Sequence, residues 1–325
     1  MTMSRRNLLG AAAAALVARP AVLRAAGDPL TIGYVPANAI YWDIHVAIEK
    51  GFFREAGFDP QSAVMQSSPQ SIQQAIAGTY QIAAAQPEPF IAAVQRGAKM
   101  LAAFAAPMNR ADWCLNARPE IKSMADLKGK VIGVAGLRNS EIWLTNQLLE
   151  QAGLKKGDVD FLVVGTSPAK MTALQKGAIA ATILFQPTAE LAIREGFPAL
   201  ARYAALRAYP SILFIVDRTW AGKNDNGKRA AAAIRRAHEW LWDPANRAEA
   251  TAILMRVTKR DQAIADIVYA AYFVDPGIYS RTGEVELSGF DRVLADMAQD
   301  GEIVTAPPPP ATGFVLSREL GGMWS

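Results

Sequence analysis

The chain has 325 residues, of which 51% are hydrophobic and 20% are charged, so it is long enough for one to three domains with packed apolar cores. Glycine and proline are not in excess, which excludes a collagen-like or intrinsically disordered chain. Because Cys114 is the one cysteine, an intramolecular disulfide framework and a Cys-x-x-Cys pair are excluded. His45 and His238 are too few soft ligands for a zinc site, so we expect no metal and no cofactor.

The basic residues outnumber the acidic ones, 34 to 30, and give a formal charge of +4. Arg5, Arg6, Arg19 and Arg24 account for this excess, because they lie in the first 26 residues, which contain no acid. The rest of the chain is neutral and has no stripe of lysine or arginine. It therefore lacks the electrostatic footprint of a nucleic-acid-binding protein, and nucleic acid is excluded as a partner.

Residues 1–26 are interpreted as a signal peptide. Arg5 and Arg6 precede a short, mildly apolar run over 8–17, and small residues follow around Ala25 and Ala26. The run is too short to span about 30 Å of hydrocarbon, and it resembles a twin-arginine export signal. The alternative is an Ala-rich amphipathic helix that stays on the protein. No other segment reaches about 18 apolar residues, so we expect a soluble, exported, periplasmic protein.

Short β-rich runs alternate with helical periodicity along most of the chain. The predicted strands are Leu30–Val35, Ala63–Met65, Gln81–Ala85, Met100–Ala105, Lys130–Ala135, Phe161–Val164, Ala181–Phe185 and Ser211–Val216. Helices are predicted between them, the first capped by Asp43, and the chain from about Lys228 to Asp300 is mainly helical. This alternation favours an α/β fold with parallel sheets covered by helices on both faces.

Two α/β series of similar size indicate two lobes. Ligands of open parallel sheets bind at the carboxyl ends of the strands, where helix N-termini present free N–H groups. The turns at these ends carry hydroxyls, amides and one guanidinium but no nucleophile–base pair, which suits binding of a small polar or anionic molecule without catalysis. The candidate ligand-binding residues are Asn38, Tyr41, Trp42, Ser67, Ser68, Gln86, Trp113, Arg138, Asn139, Ser140 and Gln186.

Several candidates have a second interpretation. Arg138 follows a strand and precedes a helix, so it either clamps a carboxylate or sulfonate through two hydrogen bonds or is a solvated loop arginine. The hydroxyl and amide residues of the turns either donate to the ligand or only cap helices. Tyr41, Trp42 and Trp113 either stack on an organic ligand in the cleft or lie in the core or at the surface.

The remaining reactive residues are interpreted as structural. His45 lies in the first helix, where a packed or exposed histidine is expected, and His238 is placed on a solvated helix face. Cys114 is expected to be a small buried hydrophobic residue. No catalytic residue is predicted.

Three segments carry a family resemblance. They are VAIEKGFFREAGF at 46–58, IKSMADLKGKVIGV at 121–134, and ALQKGAIAA at 173–181 followed by Gln186-Pro187. Together they resemble the nitrate/taurine/aliphatic-sulfonate type of ABC-transporter substrate-binding protein, which is related to the thiamine-pyrimidine synthase-like family. The resemblance covers about residues 30–220, and its motifs are mostly scaffold turns that say little about the ligand.

The resemblance implies a type II periplasmic binding protein fold, with two lobes that are each a mostly parallel sheet with helices on both faces. We expect lobe one at 28–112 plus 211–325, lobe two at 113–210, and hinge segments near 112–116 and 206–213. A small organic anion, such as a sulfonate or a taurine-like acid, is implied to draw the lobes together for delivery to an ABC permease in the inner membrane. We expect a monomer that is not an enzyme.

Two alternatives use the same fold. One is binding or synthesis of a thiamine-pyrimidine precursor, but relatives that perform this synthesis carry a Cys-rich iron motif. This chain has one cysteine and no His/carboxylate cluster in its place. The other alternative is a ligand-sensing partner of a membrane receptor, which uses the same closure and is not separable from transport by sequence.

Overall fold

The computed structural model describes residues 27–137, 139–206, 208–274, 277–303, 305 and 307–316. The predicted signal peptide and Arg138 lie outside these residues. Within them the strands are β1 (Asp28–Tyr34), β2 (Phe58–Val64), β3 (Ile82–Ala85), β4 (Leu101–Ala105), β5 (Cys114–Ala117), β6 (Val131–Val134), β7 (Asp160–Val163), β8 (Ala181–Leu184), β9 (Ala199–Arg202) and β10 (Leu213–Asp217).

These strands form two five-stranded sheets, the first in the order β2-β1-β3-β10-β4 and the second in the order β7-β6-β8-β5-β9. The chain passes from the first sheet to the second over residues 106–113 and returns over residues 203–212. In each described sheet one strand opposes the rest: β10 is antiparallel to β3 and β4, and β5 is antiparallel to β8 and β9. The predicted α/β fold of two mostly parallel sheets is therefore confirmed.

The helices lie on both faces of the sheets. They are α1 (Trp42–Glu49), α2 (Phe52–Glu55), α3 (Ser68–Ile76), α4 (Pro87–Gln95), α5 (Ser140–Gln151), α6 (Ser167–Gln175), α7 (Thr188–Arg194), α8 (Arg218–Gly222), α9 (Asn226–Trp242), α10 (Arg247–Thr258), α11 (Gln262–Phe273) and α12 (Leu287–Gln299). Among the described residues five helices, α8 to α12, follow β10, and α9 to α12 confirm the predicted helical region from about Lys228 to Asp300. In the described part of the chain, no helix is both long and apolar enough to cross a membrane.

Two local predictions were wrong, and strands β5 and β9 were not predicted. Strand β9 was not predicted, because its Ala-Leu-Ala-Arg sequence has little β propensity. It forms a strand because it pairs with β5. Asp43 does not cap the first helix, because it lies inside α1 and is fully buried. His238 is also fully buried, not solvated, and its Nε2 lies 3.0 Å from Asp43 Oδ2. The short helical turn before α1 is capped instead by Asn38, whose side chain accepts from the Ile40 N–H.

The apolar core continues between the sheets. One cluster includes Ala83 of β3, Ile215 of β10, Ile132 of β6 and Ile183 of β8, together with Trp113 in the first crossover. A second cluster lies between the first sheet and helices α1 and α9 to α11. Each fully buried Ile or Leu contributes roughly 1.5–3 kcal/mol by removal from water. This packing fixes the loops at the carboxyl ends of the strands, where the candidate site lies.

Candidate ligand-binding site

Loops from the two lobes meet at the carboxyl ends of the sheets. The Ser140 N–H at the start of α5 donates to Glu88 Oε1 of α4 over 2.8 Å, and the Tyr209 hydroxyl of the second crossover donates to the same oxygen over 3.3 Å. The Ala39 N–H donates to the Gln186 carbonyl over 3.2 Å. We call the buried polar residues of this region the interlobe cluster: Glu88, Trp113, Asn139, Ser140, Gln186 and Tyr209.

Glu88 is the acidic member of the interlobe cluster. It follows Pro87, which begins α4 directly after β3, so the strand end places its carboxylate at the lobe boundary. The residue is 2% exposed, and burial raises the pKa of its carboxyl, against hydrogen bonds from Ser140 and Tyr209 that lower it. No lysine or arginine among the described residues pairs with it. Its second oxygen, Oε2, is buried and makes no hydrogen bond of acceptable geometry.

The N-terminus of α5 has an unusual cap. Asn139 occupies the N-cap position with an extended backbone, but its side chain makes no capping hydrogen bond. The Ser140 N–H donates across the lobe boundary to Glu88 instead. Asn139 Oδ1 and Ser140 Oγ are buried and make no hydrogen bond of acceptable geometry among the described residues, although the Ser140 hydroxyl lies beside the Glu88 carboxyl. A carboxylate from the first lobe therefore serves as the cap of a helix in the second.

A buried ion pair holds the loop between β6 and α5. Lys170 Nζ of α6 lies 2.9 Å from Glu141 Oε1, and both side chains are 1% exposed or less. The other carboxylate oxygen, Oε2, accepts the Ala135 N–H over 2.7 Å, directly after β6. The pair thus fixes the loop that leads to Asn139 and Ser140.

Trp113 lies in an aromatic group at the lobe boundary. Its ring centroid is 5.3 Å from that of Phe185, which precedes Gln186, and 5.6 Å from that of Tyr203. The Tyr203 hydroxyl lies 2.6 Å from Thr145 Oγ1 of α5. The Trp113 indole N–H is buried and has no partner among the described residues. Trp113 therefore combines an apolar surface with an available donor, as binding-site tryptophans do.

Tyr41 and Trp42, two of the predicted aromatic contacts, pack in the core of the first lobe. Trp42 is fully buried in the first lobe, where its indole N–H donates to the Ala250 carbonyl and its ring packs edge-on against Phe273. Tyr41 is 1% exposed and packs against Tyr34, with ring centroids 5.5 Å apart. Stacking of Trp42 on a ligand does not fit this packing, because its ring and its N–H are both used in the core.

The loops after β1, β2 and β3 use their polar side chains locally. Asn38 caps the turn before α1. Ser67 caps α3 by accepting the Gln70 N–H over 3.3 Å, and it is exposed. The Ser68 hydroxyl accepts the Gln86 N–H over 3.0 Å. Ser68 thus connects the loop after β2 to the loop that carries Glu88.

Gln186 connects three elements at the lobe boundary. Its carbonyl accepts from the first lobe, and its Nε2 donates to Glu190 Oε1 of α7 over 3.3 Å. The same Glu190 oxygen accepts from Arg202 over 2.7 Å. Gln186 Oε1 is buried without a partner among the described residues. The peptide bond from Gln186 to Pro187 is cis.

Cys114 follows Trp113 but is not equipped as a nucleophile. It is 1% exposed, which confirms the expectation of a buried residue. Burial raises the pKa of its thiol to about 12, so the thiol is neutral at physiological pH. In the described part of the chain, no three His, Cys, Asp or Glu side chains are grouped to hold a metal ion.

Two surface pockets lie away from the interlobe cluster. One of about 260 Å³ lies beside residues 129–131 and 177–180, at the amino ends of β6 and β8. The other, of about 320 Å³, lies between α2 and α9 in the first lobe. Neither contains a candidate residue predicted from the sequence.

Sequence reasoning missed Glu88, Glu141, Lys170 and Tyr209. An acid in the first turn of a helix is common and signals no site, and both Glu88 and Glu141 occupy that position. One signal was available for Glu88: the Gln-Pro-Glu-Pro sequence interrupts a long apolar stretch directly after a strand. The interlobe cluster brings together Trp113, Asn139, Ser140 and Gln186 of the predicted set.

The comparison with protein families assigns the chain. A model of the family described as NMT1/THI5 like matches residues 39–247. The chain belongs to the NMT1/THI5-like family. This assignment confirms the family resemblance read from the three sequence segments.

This NMT1/THI5-like protein resembles a curated relative in sequence and several solved structures in fold. A Brucella abortus (strain 2308) protein that is provisionally named a binding protein is 28% identical over 267 residues, 79% of this chain and 81% of the relative. The alkanesulfonate-binding protein SsuA from Xanthomonas axonopodis pv. citri, bound to MOPS, matches with a TM-score of 0.69 and 19% identity over 90% of this chain and 99% of its own. The periplasmic nitrate-binding protein NrtA from Synechocystis PCC 6803 matches with a TM-score of 0.69 and 13% identity, over 86% of this chain and 83% of its own. These likenesses show the periplasmic binding protein fold.

Proposed function

We propose that this protein is a periplasmic solute-binding protein, which captures a small organic acid between its two lobes and delivers it to an ABC permease. The observation that carries the proposal is the interlobe cluster, in which buried polar groups from both lobes converge and several have no partner in the described chain. Buried polar groups are ordinarily hydrogen-bonded, so unpartnered ones at a lobe boundary favour a polar ligand.

The proposed lobes follow the two crossovers, with lobe one over 28–112 plus 211–325 and lobe two over 113–210. The ligand would contact side chains of both lobes and so bind the closed form better than the open form. Only this difference in affinity can drive closure. Arg138 and Ser140 remain the proposed contacts for the acidic group of the ligand. We propose that the protein is an exported monomer and that its leader uses the twin-arginine route.

Binding without turnover is supported by the chemistry of the cluster. The Cys114 thiol is neutral, and the interlobe cluster offers hydrogen-bond donors and acceptors without a nucleophile paired to a base. Turnover of the cargo by the purified protein would contradict this proposal. Transport and ligand sensing use the same closure, and they are distinguished by the neighbouring genes: a permease and an ATPase for transport, a receptor kinase for sensing.

The test is a thermal-shift screen of small carboxylates, sulfonates and pyrimidines, followed by small-angle scattering with each hit. A ligand at 100 times its Kd should add about 2.7 kcal/mol to the free energy of unfolding. The radius of gyration should fall on binding, because the lobes close. Scattering curves that are identical with and without a bound hit would overturn the closure mechanism.

Two tryptophan variants separate the site from the core. Trp113→Phe removes the available indole N–H at the lobe boundary and should weaken binding of a hit while leaving the fold intact. Trp42→Phe removes a buried hydrogen bond to Ala250 and should lower stability, by about 1–3 kcal/mol, without changing the Kd. An unchanged Kd in Trp113→Phe would place the ligand away from the interlobe cluster.

A further inference from the structure

When ionised, Glu88 can only accept hydrogen bonds, which distinguishes it from the amide and hydroxyl side chains of the interlobe cluster. The amides of Asn139 and Gln186 can present either an oxygen or an N–H, and the Ser140 hydroxyl can donate or accept. An ionised carboxylate only accepts. Glu88 Oε1 already receives the Ser140 N–H and the Tyr209 hydroxyl, whereas the buried Oε2 receives no well-formed hydrogen bond.

No positive charge in the described chain balances this carboxylate. Glu141 of α5 is also a buried acid, but it has a cation: Lys170 lies 2.9 Å from it and neutralises its charge. Glu190 is similarly paired with Arg202 at 2.7 Å. A buried, ionised carboxylate without a cation is unfavourable, so Glu88 either holds a proton or needs a ligand that supplies the missing group.

We propose that Glu88 selects a ligand that brings a nitrogen-borne hydrogen-bond donor into the cleft, either an ammonium or an amino group on a heteroaromatic ring. This inference rests on the proposed solute-binding function and narrows its ligand class. The ligand nitrogen donates to Oε2, while Ser140 and Tyr209 continue to occupy Oε1. Simple anions that lack such a donor meet a like charge at the start of α5, where an anion would otherwise be favoured.

The rival interpretation is a protonated Glu88, whose Oε2–H would donate to the acidic group of the ligand. The two interpretations predict opposite ligand preferences. An ionised Glu88 favours amino ligands and loses that preference as Gln, whose amide reproduces the shape without the charge. A protonated Glu88 favours plain acids, and Glu88→Gln retains their binding.

The experiment measures calorimetric Kd values of the purified full-length exported protein for three probe pairs that differ in one amino group. The pairs are 3-aminopropanesulfonate and propanesulfonate, β-alanine and propanoate, and 4-aminopyrimidine and pyrimidine. The first two pairs supply an ammonium and the third an uncharged N–H donor, so the pairs distinguish the two sources. We expect the amino member of at least one pair to bind about 10- to 100-fold more tightly, as for a hydrogen bond to a charged group.

Glu88→Gln should abolish this preference, and Glu55→Gln, an exposed acid paired with Arg236, should keep it. The inference is overturned if the plain member binds as tightly as its amino partner, if Glu88→Gln keeps the preference, or if no amino member binds. Small-angle scattering distinguishes a failure of the Glu88 inference from a failure of the proposed solute-binding function. If one of those outcomes is found and propanesulfonate or propanoate still closes the lobes, solute binding is retained and only the role of Glu88 is rejected. Tight binding without closure would reject the proposed function itself.

Discussion

His238 Nε2 and Asp43 Oδ2 lie 3.0 Å apart, although the residues are 195 positions apart in the chain and both are fully buried. The other ring nitrogen, Nδ1, lies 2.7 Å from the Ser280 carbonyl, which can only accept a hydrogen bond. The Ser280 N–H in turn donates to the Pro107 carbonyl in the first crossover. This contact therefore joins α1 and α9 to the segment that packs against the connection between the lobes.

His238→Ala should lower the free energy of unfolding by about 3–5 kcal/mol, because it leaves a buried carboxylate without its partner. Urea unfolding followed by far-UV circular dichroism measures the change. Glu239→Ala is the matched control, since this exposed neighbour pairs with Arg235 on the helix surface and its loss should cost less than about 1 kcal/mol. Equal effects of the two variants would show that the buried pair contributes no more than a surface contact.

Lys170→Met should destabilise the protein by about 3–5 kcal/mol, because Glu141 is then buried as an unpaired charge. It should also weaken ligand binding, since Glu141 holds the Ala135 N–H of the loop before α5. The double variant Glu141→Gln/Lys170→Met should recover part of the stability, which urea unfolding measures. Lys128→Met, which breaks an exposed 3.7 Å pair with Asp158, is the control and should leave both properties nearly unchanged. A double variant no more stable than Lys170→Met would contradict this account.

Asp112 lies in the first crossover, and burial raises the pKa of its carboxyl to about 6, against the hydrogen bond from the Tyr272 hydroxyl at 2.5 Å. The folded protein therefore holds this proton to higher pH than the unfolded chain does. Stability from this group is present below about pH 4 and is lost as the pH rises through about 6, by at most about 3 kcal/mol. Asp112→Asn should remove this loss in urea unfolding measured from pH 4 to pH 8. Asp59→Asn, at an exposed position of β2, should leave the pH profile unchanged, and a profile unaffected by Asp112→Asn would exclude a raised pKa.

Glu88→Gln should make the ligand-free protein more stable at neutral pH, while it weakens binding of amino ligands. Burial raises the pKa of the Glu88 carboxyl, so stability from this group is lost as the pH rises above its ordinary value of 4.5. The glutamine does not titrate and avoids this loss. Thermal unfolding with and without a bound probe measures both effects. A variant that is less stable without ligand would indicate that the carboxylate serves the fold and not the ligand.

The positions of most elements could be predicted from local punctuation. Pro87 begins α4 and Ser67 caps α3, as the sequence indicates, because each acts through its own backbone or its near neighbours. Contacts between distant segments could not be predicted in this way. Glu88 and Ser140 are 52 residues apart, and nothing in the pattern around either residue indicates that the lobe boundary joins them.

The sequence predicted which loops form the candidate site, but it did not predict which side chains in them face each other. Asn139 and Ser140 were identified because polar residues follow a strand, and both lie at the lobe boundary. Trp42 carries the same sequence signal as Trp113, an aromatic residue near a predicted loop or hinge. Both are buried, and their partners separate them: the Trp42 indole N–H donates to the Ala250 carbonyl of α10, while that of Trp113 has no partner among the described residues. The orientation of a side chain depends on partners that approach from elsewhere in the chain.

The position of β10 has a consequence for how the protein emerges from the ribosome. β10 pairs with both β3 and β4, so the middle of the first sheet comes from residues that are translated after the whole second sheet. The nascent amino-terminal segment therefore has an open seam between β3 and β4 until residue 217 leaves the exit tunnel. The inserted sheet, whose strands are contiguous from 114 to 202, can assemble first. The order of synthesis therefore allows the second sheet to form before β10 completes the first sheet.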